Sequence, residues 1–195
     1  MTFRKIIASK AKTRGGRPRI FSDSRTRTAD EWTDEGYRFE ELMRGRRTEK
    51  YRRYAIECYN RALEVDFNYV PAWINKGRLH HLNGELATAL QCWERALELE
   101  PNNATLWFNK GVLLQDEGKN ASAVKCYERA LRFDPGLMDA FFNQGIIFES
   151  EGQLREALEC FSNARRLDPS NQEIAERVRR LEDQLAQRDF GKLIR

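Results

Sequence analysis

Residues 104–137 read ATLWFNKGVLLQDEGKNASAVKCYERALRFDPGL. Two apolar-periodic runs lie inside this stretch, Leu106 to Leu114 and Ala121 to Phe133, with Gly118 and Lys119 between them and Pro135 closing the unit. Neither run can bury its apolar side alone, because a single amphipathic helix leaves that side in water. The chain answers by writing nearly the same unit again on either side. Gly77, Gly111 and Gly145 stand 34 residues apart, as do Trp73, Trp107 and Phe141, and the turn residues Gly84, Gly118 and Gly152. The same interval carries Ala55, Ala89, Ala123 and Ala157, then the aromatics Tyr59, Trp93, Tyr127 and Phe161. It also carries Ala62, Ala96, Ala130 and Ala164, and Pro101, Pro135 and Pro169. A fixed period with two helical signals inside it means stacked helix pairs.

The columns have physical reasons. At about 100° per residue, Trp107, Gly111 and Leu114 fall on one side of the first helix. Gly111 lets the partner helix approach, Ala123 and Ala130 do the same from the second helix, and Tyr127 fills the gap between them. Gly118 supports the tight turn and Pro135 stops the second helix.

This order of aromatic, Gly, Ala, aromatic, Ala and Pro resembles the tetratricopeptide repeat family. The resemblance covers residues 70–171 fully and the second half of 36–69. It implies an all-α, right-handed helical-repeat solenoid over residues 31–171, with windows 36–69, 70–103, 104–137 and 138–171. The first window is degenerate. Read without a gap, Phe39 and Met43 take the places of Trp73 and Gly77 and Lys50 that of the turn glycine; alternatively Gly45 is the turn and Arg46 to Arg53 includes an insertion. Phe67 stands where later windows have Pro. After Pro169, Ser170 and Glu173 have capping-box spacing. Ile174, Val178, Leu181 and Leu185 then form one apolar stripe, expected to cover the end of the last repeat as a capping helix within residues 172–195; pairing with another chain is the alternative.

Net charge is +4 and uneven. Residues 1–30 hold nine Lys or Arg against Asp23 and Asp30, so +7, and the remainder holds 25 basic and 28 acidic residues, so −3. A basic, Gly- and Ser-punctuated tail of this kind is expected to be disordered alone and to suit an acidic partner. Arg14-Gly15-Gly16-Arg17-Pro18-Arg19 resembles the Gly-Arg-Pro core of AT-hook minor-groove binders, which implies nucleic-acid contact through Arg14, Arg17 and Arg19. An Arg-rich, acid-poor start also fits an organellar transit peptide.

Chemistry-bearing residues are sparse. Cys58, Cys92, Cys126 and Cys160 form one 34-residue column. Equivalent helices lie roughly 10 Å apart, too far for disulfides, whose Cα atoms sit within about 7 Å, or for shared metal ligation. They read as reduced packing residues, consistent with a cytoplasmic location. His80 reads as a packed ring in the column of Leu114 and Phe148, and His81 as lying on the opposite face. No nucleophile elbow, phosphate-cradling loop or paired-carboxylate site is present in the sequence, so the expectation is a non-enzyme without cofactor or metal.

The surface left over is more informative. Opposite the Trp107–Gly111 side lie Thr105, Phe108, Asn109, Val112 and Gln115, with Ile74, Asn75 and Arg78 equivalent before them and Phe142, Asn143, Ile146 and Glu149 after. In the family resembled, this face lines a concave groove for extended peptides. Asn75, Asn109 and Asn143 form a column whose amides offer donors and acceptors to a peptide backbone; Ile74, Phe108 and Phe142 add apolar pockets. Groove positions so apolar, with Arg78 the basic one among them, disfavour the Lys/Arg/Asn clamp by which chaperone-adaptor members hold a C-terminal carboxylate. Lys76 and Lys110, just before the crossing glycines, are expected to pack their stems and extend their ammonium groups to water. The expected function is a protein-interaction scaffold or adaptor that takes an extended segment of a partner. The alternative is a nucleic-acid-associated adaptor using the tail.

Overall fold

The computed structural model describes residues 27–43 and 48–193. Arg14, Arg17, Arg19 and Gly45 lie outside the described residues. Among those described, every regular element is a helix: α1 (Ala29–Leu42), α2 (Thr48–Val65), α3 (Val70–Leu82), α4 (Leu86–Leu99), α5 (Ala104–Asp116), α6 (Asn120–Phe133), α7 (Met138–Ser150), α8 (Leu154–Leu167) and α9 (Gln172–Leu193). The fold is therefore the expected all-α helical repeat. The chain forms two compact units that meet in sequence at Ala72 and Trp73.

In the first unit, Thr28 caps α1. Its side chain accepts from the backbone N–H of Glu31, whose carboxylate accepts from the backbone N–H of Thr28. The structure corrects the gap-free reading of this window. The crossing residue is Gly36, not Met43: a Cβ there would meet Tyr59 at 2.6 Å, as one at Gly111 would meet Tyr127 at 2.5 Å. Trp32, four residues earlier and almost fully buried, holds the place given to Phe39. Gly36 precedes Tyr59 by 23 residues where Gly77 precedes Trp93 by 16, so seven residues are inserted. Four of them lengthen α2, which has 18 residues against the 14 of α4. Phe39 packs on the added turn, its ring 6.2 Å from that of Tyr51 and 5.3 Å from that of Tyr54.

In the second unit, three connections close alike. Gly84, Gly118 and Gly152 have φ of 76°, 73° and 75°, a left-handed conformation that glycine adopts without Cβ strain. At the middle one, the N–H of Lys119 donates to Leu114 O and that of Gly118 to Gln115 O, both at 2.8 Å, satisfying carbonyls the helix end would leave open. The deepest positions of the first helices are Leu106 and Leu113, with their equivalents Leu79, Ala140 and Ile147. Trp107 is only half-buried; its indole N–H donates to Pro101 O at 2.8 Å and Arg129 lies 4.5 Å over its ring.

The apolar stripe of α9 is turned toward α8. Ile174, Val178 and Leu181 are wholly buried against Leu154, Ala157, Phe161 and Ala164 of α8, with Leu185 at the margin. The cap is Asn171 rather than Ser170: its side chain accepts from the N–H of Ile174 at 3.2 Å, as Asn103 accepts from Leu106 at the start of α5. Ser170 donates instead to Asp168, both from its backbone N–H and from its hydroxyl.

Candidate functional site

The residues expected to face a partner all belong to the second unit, but they are not equally available. Phe108 is half-buried with its ring 5.7 Å from that of Tyr127. Val112 packs beside it against the cluster of Ala123, Tyr127, Ala140 and Ile147. Phe142 meets Phe161 edge-on at 5.6 Å, and Ile146 packs on the same cluster as α9. Ile74 and Arg78 are half-buried, and the Ile74 carbonyl accepts from the Trp93 indole at 3.1 Å.

The asparagine column is unequal in burial and bonding. Asn75 is only 5 % exposed. Asn143 donates to the Tyr127 hydroxyl at 3.4 Å, and that hydroxyl donates to Gln115 at 2.7 Å. Asn109 is half-buried. Burial pushes the Tyr127 phenol well above its ordinary range, which keeps it protonated and able to act as this donor.

The helix α9 extends the same columns. Counting 34 residues on, Arg177 takes the position of Asn143, Arg180 that of Ile146 and Glu176 that of Phe142. Arg177 lies 5.4 Å over Phe142 and 5.5 Å over Phe161, and pairs with Glu149 and Glu173, each at 2.9 Å. Arg180 also pairs with Glu149. The capping helix therefore places two guanidinium groups beside the last apolar residues of the face. The 34-residue interval from Asn143 was the available signal for them; an apolar-stripe reading of α9 passes over it.

The lysines before the crossing glycines differ from one another. The Lys110 ammonium reaches Glu94 at 2.9 Å, while that of Lys76 lies 5.3 Å over the Trp73 ring. Gln144, the next residue in this column, is buried.

The four cysteines are buried, unbridged thiols. Burial raises each above the ordinary 9.0, Cys160 to about 12. A thiol so held is a poor nucleophile, because the thiolate is the reactive form. His80 bonds Glu85, within the packed position expected. His81 does not lie on the opposite face: its ring is 5.7 Å from that of Trp93, and Nε2 meets Asp116 at 2.7 Å. One helical turn separates it from Gly77, which also stands against Trp93, so both share that side.

The comparisons agree with this architecture. Family models of the TPR or tetratricopeptide repeat match residues 58–91, 77–118, 104–137 and 138–171. The chain belongs to the tetratricopeptide repeat family. Among solved structures, a crystal structure of MamA is 20 % identical, with 72 % of this chain and 78 % of that chain covered at a TM-score of 0.63. A MamA RS-1 ArsTM double mutant is 18 % identical, with 81 % and 85 % covered at 0.66. The first TPR of Spaghetti (RPAP3), bound to the HSP90 peptide SRMEEVD, is 21 % identical, with 60 % and 93 % covered at 0.56. At such identities the likeness is one of fold. No curated protein matches by sequence. No described helix is long and apolar enough to cross a membrane.

Proposed function

We propose that this protein is a non-catalytic interaction scaffold whose repeats hold an extended segment of a partner protein. The observation that carries the reading is the register of Phe108, Asn109 and Val112 on α5 with Phe142, Asn143 and Ile146 on α7. Successive repeats present the same half-buried mixture of apolar groups and amides. Amides orient a peptide backbone and apolar pockets select its side chains, so such a ladder suits an extended segment. A tetratricopeptide neighbour that holds a peptide supports a protein partner. The buried Asn75 and the bonded Asn143 assign the more available amide to Asn109. Arg177 and Arg180 bound the face at its α9 end.

The test is selection of binders from a random peptide library on the full chain, followed by titration of each with the Asn109→Ala variant. We expect affinity to fall about tenfold, the scale of one well-placed contact, with an unchanged melting temperature. Undiminished binding of every selected peptide would refute the assignment.

A further inference from the structure

The seven-residue insertion hides a surface on α1 that a strict 34-residue alignment cannot show. Asp30, Asp34, Tyr37 and Glu41 follow one another at i, i+4, i+7 and i+11, a single stripe on a helix of 3.6 residues per turn. All four are exposed, Tyr37 at 45 %. Gly36 fixes their register. It stands against Tyr59 as Gly111 stands against Tyr127, so Asp34 and Tyr37 hold, within their own pair, the positions of Asn109 and Val112.

The stripe is acidic beyond what the chain uses. Six carboxylates lie on α1 against the single Arg38. Glu31 is taken by the cap, Glu35 holds Arg38 at 2.9 Å, Glu40 accepts from Tyr59 and Asp30 accepts from Tyr69. Among the described residues, no hydrogen bond or ion pair engages Asp34 or Glu41. Tyr69 donates to Asp30, and burial together with that bond raises its phenol to about 12. On the flank of the stripe, Thr33 is 3 % exposed and its hydroxyl has no partner. Buried hydroxyls in folded proteins nearly always have one.

We propose that this face of α1 recognises a basic extended segment of a partner protein. Asp34 and Glu41 receive two Lys or Arg side chains, and Tyr37 lies under one of the cations. Seven helical residues separate the two carboxylates by about 10 Å. In a polyproline II segment, residues i and i+3 share a side about 9 Å apart, so the fitting ligand carries basic residues three apart. Guanidinium suits both a carboxylate fork and an aromatic face. The inference rests on the reading that the partner binds as an extended segment.

The experiment uses the full chain and a labelled Pro-Pro-Arg-Pro-Pro-Arg-Pro-Pro peptide, with a Glu-for-Arg control, followed by fluorescence anisotropy at low salt. The Arg peptide is expected to bind, to weaken as salt rises, and to lose about tenfold with Asp34→Asn plus Glu41→Gln; the Glu peptide is expected not to bind. Asp139→Asn, an exposed carboxylate on α7, leaves binding unchanged. Equal affinity for wild type and the double variant would overturn the proposal. A tenfold gain on deleting residues 1–26 would also overturn it, by assigning the face to the chain's own basic segment. Asn109→Ala separates the two readings: insensitivity of library-selected peptides to it overturns the α5–α7 reading alone, and insensitivity of the Arg peptide to the α1 variant overturns this one alone.

Discussion

Asn143 on α7 donates its side-chain amide to the hydroxyl of Tyr127 on α6, at 3.4 Å. The same hydroxyl donates to Gln115 on α5 at 2.7 Å, and the tyrosine is wholly buried. One phenol thus ties the first helices of two successive repeats. Tyr127→Phe keeps the ring against Gly111 and removes only the hydroxyl. Stability should fall by about 1 kcal/mol, the usual net worth of a hydrogen bond, or somewhat more because Gln115 loses its donor. Asn143→Ala should cost less, since its bond is long. Urea denaturation of the two single variants and the double variant is the check. A shared hydroxyl requires losses that are less than additive.

Gly111 leaves no room for a side chain. A Cβ there would come within 2.5 Å of the Tyr127 ring, closer than real contacts allow. Gly111→Leu should therefore cost roughly 1–3 kcal/mol or more through overpacking. The cause can be isolated, because Tyr127→Ala removes the obstructing ring. The double variant should recover part of what Gly111→Leu loses, beyond simple addition of the two effects. A plain sum in thermal melts would place the clash elsewhere.

The repeat columns were legible because packing imposes them at every turn of the period. Where helices cross against an aromatic, only glycine fits, and Gly77, Gly111 and Gly145 announce it. The first pair was not legible for the same reason inverted. Gly36 and Trp32 obey the packing rule, but a seven-residue insertion, four residues of it in the longer α2, puts them out of register with Tyr59. A constant-period reading then settles on Phe39 and Met43, and passes over the acidic stripe of α1. The residues proposed to face a partner were legible as positions only. Sequence places Asn75, Asn109 and Asn143 in one column, but burial and the reach of the Tyr127 hydroxyl make them unequal.

The thiol column offers a pH test. Burial raises all four cysteines from the ordinary 9.0, Cys160 to about 12. A group that loses its proton harder when folded stabilises the fold below its unfolded value, and that contribution fades as pH climbs toward the folded one. Melting temperature should therefore fall between about pH 9 and pH 12, and the Cys160→Ala variant should fall less steeply. At pH 8 a disulfide reagent should modify the native thiols slowly and all four quickly in denaturant. Rapid labelling of the native chain would contradict this burial.

Leu181 is wholly buried where α9 covers α8, in a cluster with Phe161, Ile174 and Val178. Leu181→Ala should cost about 2–5 kcal/mol, toward the lower end if the helix end relaxes into the space. The more telling consequence is where the loss appears. In a repeat protein each pair touches only its neighbours, so a weakened cap opens the end first and leaves interior repeats closed. Hydrogen exchange should then accelerate in α8 and α9 and stay near wild type in α5 and α6. Arg177→Met should produce a milder form of the same pattern, because the Arg177 guanidinium bridges Phe142, Phe161 and Glu149 across this junction. Acceleration spread evenly over α5 to α9 would mean that the second unit opens as one block, and that α9 is a full member of its core instead of an end cap.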